Sequence, residues 1–138
     1  HARLEETLEG MKDDWGLVFF ADASDLTRHM APVVKDFAER WKLETVWVSQ
    51  VKGNPVLKDL AVEAVEDARI AATVARGLTM FPALVLVRRR DAGLKDARLV
   101  ATGVASATDL MRRITLLKED EEHPARAGAR PTTLGKKQ

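Results

Sequence analysis

Residues 24–32 read SDLTRHMAP, a helix start followed closely by a proline where a helix should already be running. Ser24 or Asp25 can cap the helix by accepting a hydrogen bond from an early backbone N–H. Beyond the cap, Met30, Val33, Val34, Phe37 and Trp41 recur at helical spacing, so one face of the helix is built to lie on a sheet. Pro32 falls inside that pattern. It removes one helical hydrogen bond at a cost of ~3 kcal/mol and predicts a kink, so its presence needs an architectural reason.

Upstream, Trp15–Ala21 (WGLVFFA) is a near-continuous apolar run that reads as a buried central strand. Residues 3–14 before it read as a polar helix with Leu4, Leu8 and Met11 inward. Downstream, residues 45–51 (TVWVSQV) form a second β-rich run, broken by Gly-Asn-Pro at 53–55. From Val56 to about Arg76 the chain predicts one or two helices, with Gly77 as the stop. Residues 80–89 (MFPALVLVRR) place a proline at the entrance to a third strand, and DAGLKD at 91–96 turns it into a fourth, ARLVATG. Those two strands are expected to form an antiparallel hairpin. A last helix opens with Ser106 and Asp109 in capping-box spacing and carries Leu110, Ile114 and Leu117 on one face. The order is α-β-α-β-α-β-β-α, an α/β domain over residues 1–117 with a mixed sheet of about four strands flanked by helices. Residues 118–138, almost without apolar side chains, are expected to be a flexible polar tail.

Composition narrows the function classes. The chain has 138 residues, 46% of them hydrophobic, enough for one core. Lys and Arg total 22 against 21 Asp and Glu, a formal net charge of +1. That leaves no global field to hold nucleic acid or an anionic membrane. No run approaches the ~20 apolar residues of a membrane span, so no stable membrane insertion is expected. There are no cysteines, which excludes a disulfide framework, a thiolate metal site and thiol chemistry by this chain. Of three histidines, His1 and His123 lie in the terminal segments, and neither a metal site nor a cofactor site is expected.

The element order is that of a thioredoxin fold, and local features sharpen the likeness. Thioredoxin-like proteins carry a CxxC motif where the helix after the first central strand begins, with a kinking proline five residues past the second cysteine. Counting back from Pro32 by five gives Thr27, and three further gives Ser24, so Ser24, Asp25, Leu26 and Thr27 occupy the CxxC place. Met80-Phe81-Pro82 stands where those proteins hold a cis-proline against the motif. A simple edge proline at the start of a strand is the alternative for Pro82. More widely, WGLVFFADAS, APVVKDFAERW, VWVSQ, AATVARGLTMFPALVLV and VATGVASATDLMRRI resemble TraF-type conjugal-transfer proteins, thioredoxin-like periplasmic components of F-type type IV secretion systems. The likeness runs from about Trp15 to Ile114.

Some members of that family keep CxxC and act as thiol-disulfide oxidoreductases or isomerases, and others have lost it and are associated with pilus assembly. With Ser24 and Thr27 at the cysteine positions this chain resembles the second kind. A hydroxyl oxygen cannot carry out thiol exchange, which needs a thiolate attacking a disulfide. The resemblance implies a periplasmic protein, not an enzyme, that binds other conjugative secretion or pilus-assembly proteins. Its peptide groove would lie at Met80, Phe81 and Pro82 beside the vestigial CxxC positions. It also implies that this is the C-terminal domain of a longer protein. Two other readings stand beside that one. The domain could be a scaffold with an idle groove, or Ser24, Asp25 and His29 could supply a hydrolase's nucleophile and base, though the i, i+4 spacing of Asp25 and His29 favours their pairing with each other. His29 is otherwise read as a partly exposed helix residue. Trp41 and Trp47 read as packing, and Trp15 as packing with some claim to an exposed role. Arg88 to Arg90 read as a solvated edge or a draw for an acidic partner.

Overall fold

The computed structural model describes residues 2–66, 78, 80–89 and 97–122. Its elements are α1 (Ala2–Glu9), β1 (Trp15–Ala21), α2 (Asp25–Trp41), β2 (Glu44–Ser49), α3 (Pro55–Asp59), β3 (Ala64–Val65), β4 (Ala83–Arg88), β5 (Arg98–Thr102) and α4 (Ala107–Glu122). They form a five-stranded sheet in the order β3-β2-β1-β4-β5. β1 runs parallel to β2 and antiparallel to β4, and β4 and β5 are antiparallel. This is the expected mixed sheet with one strand more.

The additional strand, β3, is two residues long and pairs Ala64 with Trp47 and Val65 with Val48. It lies in the stretch expected to be helical from Val56, where the helix instead stops at Asp59. Ala61, in the left-handed region at φ 57°, turns the chain back to the sheet edge. The rest of that expectation, to Arg76 and the Gly77 stop, falls outside the described residues, as do the DAGLKD turn and Arg90. At the other end α1 stops at Glu9 rather than continuing to Asp14. Gly10 is a poor helix residue, and turns at 10–14 deliver Met11 to the core while its carbonyl accepts the Trp15 N–H at 2.9 Å.

Both faces of the central strands are buried, which is why they read as unbroken apolar runs. On one face Leu17, Phe19, Leu84, Leu86 and Trp47 pack with Leu8, with Met30, Val34, Phe37 and Trp41 of α2, and with Leu110, Ile114 and Leu117 of α4. Phe19 meets Trp47 edge-on at 5.4 Å. On the other face Val18, Phe20, Val48, Ala83, Val85 and Val87 form a second cluster, with Phe81 and Leu99 packed against it. All three tryptophans are buried, and Trp15 lies beneath the Arg88 guanidinium at 4.4 Å. Arg89 pairs with Glu44 at 2.7 Å. A register shift between Leu84 and Val85 places Val100 as an extra residue of β5, so Val100 and Ala101 both reach the larger cluster.

The final helix begins as its capping box requires, with the Asp109 N–H donating to Ser106 Oγ at 3.1 Å. It does not end at Leu117. Lys118–Glu122 continue it and Asp120 is buried, so the first five residues of the expected tail are helical. Lys and Glu are good helix formers, and low hydrophobicity does not stop a helix already nucleated by Leu110 and Ile114. Residues 123–138 of that tail are outside the described residues.

Candidate functional site

The register brings three chain junctions to one end of the sheet. Phe20 of β1 pairs with Ala83 of β4, and Ala83 pairs with Thr102 of β5. Consequently the β1–α2 turn, the residues entering β4 and the loop leaving β5 all emerge together. The end of β2 joins them, because Ala21 pairs with Ser49 and the Gln50 N–H donates to the Ala21 carbonyl at 2.8 Å.

Within the β1–α2 turn, Ser24 is the N-cap of α2 and its Oγ accepts the Thr27 N–H at 3.3 Å. The centre of the arrangement is Asp22, which the sequence reading passed over. A single oxygen, Asp22 Oδ1, accepts from the Ser24 N–H at 3.1 Å, the Ser24 hydroxyl at 2.6 Å and the hydroxyl of fully buried Thr27. Burial pushes the Asp22 carboxyl up, but the hydrogen bonds from Ser24 and Thr27 outweigh it and hold the group below the usual carboxylate value. The two hydroxyls at the CxxC positions therefore both donate to one carboxylate.

A second polar set locks this turn to β2. The buried Asn54 side chain donates to the Asp22 carbonyl at 2.9 Å and to Ser49 Oγ at 3.2 Å, while its Oδ1 accepts the Val56 N–H at 3.0 Å and caps α3. Ser49 Oγ donates to the Val51 carbonyl and accepts the Val51 N–H at 3.0 Å. Every hydrogen-bonding group of the Ser49 hydroxyl is thus used. Asp22, Ser49 and Asn54 belong to no motif in the sequence. The GNP at 53–55 reads in sequence only as a break, and the structure makes Asn54 the cap of α3.

Opposite this turn, the Phe81–Pro82 peptide bond is cis. The Pro82 carbonyl accepts the N–H of Gly103, a residue at φ +71°, at 2.8 Å. Two residues on, the Ala105 N–H points at the Met30 sulfur, 3.4 Å away on α2. The loop at 103–105 therefore spans from Pro82 to the first turns of α2. Four of the six exposed large hydrophobics among the described residues lie at this end of the sheet: Leu26 (47% exposed), Met80 (57%), Val104 (54%) and Val51. The other two, Val46 and Leu116, sit on β2 and α4. Met80 faces solvent, whereas the neighbouring Phe81 is half-buried and turns its ring to the second cluster.

The Ser24, Asp25 and His29 group is not assembled as a catalytic set. The Ser24 hydroxyl donates to Asp22, the Asp25 carboxylate lies 3.9 Å from Arg28 Nε, and His29 is exposed on the helix. Asp22, whose carboxyl is held low, is a weak base for activating a hydroxyl. No group of three or more His, Cys, Asp or Glu among the described residues could hold a metal ion, and no helix among them is long and apolar enough to cross a membrane.

Comparison with known proteins adds two findings. The family described as "TraF: F plasmid transfer operon protein" matches residues 1–115. Among solved structures, MTB DsbF in its mixed oxidised and reduced forms is similar with a TM-score of 0.56 and 20% identity, over 79% of this chain and 84% of that one. The likeness establishes a shared thioredoxin-like fold. No curated protein matches.

Proposed function

Because the chain belongs to the TraF family, encoded in conjugative transfer operons, we propose that it is a periplasmic, redox-inactive binding domain that serves pilus or secretion-complex assembly. In this reading an extended segment of another transfer protein crosses the end of the sheet. It pairs with the main chain at Phe81, ahead of the first ladder pair at Ala83, and covers Leu26, Met80 and Val104.

The observation that carries the reading is the combination at one end of the sheet: exposed apolar side chains around the cis-proline, beside hydroxyls that are already committed to Asp22. An apolar rim gives a partner surface to bury, and a closed polar network gives it nothing to react with. With no thiol in the chain, the site offers docking without exchange.

Affinity capture from a periplasmic extract tests this, comparing the wild type with the triple variant Leu26→Asp, Met80→Asp, Val104→Asp. All three side chains are solvent-exposed, so the variant should keep its urea midpoint. The expected result is that a transfer or pilus protein held by the wild type is lost by the variant. Equal capture by both would move the contact to another face and make the domain a scaffold with an idle groove. A hydrolytic activity abolished by Ser24→Ala would overturn the non-catalytic part of the reading.

A further inference from the structure

All the side-chain sulfur in this chain is in its four methionines, since there is no cysteine. Their environments differ sharply. Met11 and Met30 are buried in the larger core, and the Met30 sulfur also lies 3.4 Å from the Ala105 N–H. Met111 is half-buried against the same core. Met80 is open to solvent, two residues before the cis-proline, and belongs to neither apolar cluster.

We propose that Met80 is a peroxide-sensitive modification site, and that its conversion to the sulfoxide changes the rim beside Pro82 from apolar to polar without unfolding the domain. The effect on docking rests on the function proposed above. In the reaction a lone pair of the Met80 sulfur attacks one oxygen of hydrogen peroxide. The S–O bond forms as the O–O bond breaks, and the departing hydroxide takes the proton from the oxygen now on sulfur, leaving the sulfoxide and water. The thioether is oxidised by two electrons and the peroxide is reduced.

Susceptibility follows access, which ranks Met80 first, Met111 second and the two core methionines last. The product carries a strong acceptor oxygen on what was a flexible apolar side chain. Free in water that oxygen is solvated at no cost, but beneath an apolar partner segment it would be buried without a donor. Reduction of the sulfoxide restores the apolar rim.

The test treats the full chain and a Met80→Leu variant with graded hydrogen peroxide and maps oxygen uptake at each methionine by peptide mass spectrometry. Met80 is expected to gain its oxygen first, and that fastest phase should be lost in Met80→Leu. At one oxygen per chain the wild type should keep its urea midpoint and elute earlier from a phenyl hydrophobic-interaction column, with no such change in the variant. Earlier uptake at Met111, Met30 or Met11 would overturn the proposal, as would unchanged retention or unfolding after the single oxidation. A transfer protein bound at this end should shield Met80 from peroxide. Selective oxidation of the free domain without shielding in the complex would overturn the docking reading and its switch, while the modification site itself would stand.

Discussion

The Asp22 carboxylate draws three donors to one oxygen, and its removal would strand a hydroxyl at the fully buried Thr27. Asp22→Ala, which removes the acceptor altogether, is therefore expected to cost about 1–3 kcal/mol, the usual penalty for a buried polar group that loses its partner, read as a lower urea midpoint. The same network makes a pH prediction. A carboxyl held below its unfolded value of about 3.9 contributes stability that is fully present above that pH and is lost as pH falls through the folded value. The urea midpoint of the wild type should drop below about pH 4, and Asp22→Asn should show a shallower drop over that window. At this scale the sequence disclosed some roles and hid others. Ser24 and Thr27 could be picked out because Pro32 sets a count along one helix. Asn54 could not, because its bond to the Asp22 main-chain carbonyl spans 32 residues and follows from strand register, not from local spacing. Asp22 lies only two and five residues from Ser24 and Thr27 but occupies no position of the motif.

Among the elements, the loop from β5 to α4 carries the clearest conformational demand. Gly103 at φ +71° sends its N–H to the Pro82 carbonyl, and a side chain there would meet nothing within 4 Å. The penalty of Gly103→Ala is then backbone strain alone, about 1–2 kcal/mol, measurable in urea unfolding. Elements with a strong period or a cap were legible in advance: α2 from its apolar face, α4 from Ser106 and Asp109, and β1 and β4 from their apolar runs. The two-residue β3 was not, since a period cannot show itself in Ala64 and Val65. Nor could β4's apolar run reveal which way Phe81 turns. Where a sheet is buried on both faces every position is hydrophobic, and alternation carries no signal.

At the scale of the whole molecule, the same end of the sheet holds a closed polar network and most of the exposed large apolar side chains among the described residues. The fold was readable because element order and the spacing of Ser24, Thr27, Pro32 and Pro82 agree with one topology. The apolar rim was only partly readable. Met80 enters only as part of the peptide groove that the resemblance implies and Leu26 only as a motif position, while Val104 follows from the register of Thr102, Ala83 and Phe20. The central claim is that this end of the domain, through binding and without thiol chemistry, is what the transfer apparatus uses. Its most direct test is the conjugation frequency of donors whose only copy of the full-length protein carries Leu26→Asp, Met80→Asp and Val104→Asp at wild-type abundance. The account predicts a loss of transfer as severe as deletion of the gene, and transfer at the wild-type frequency would contradict it.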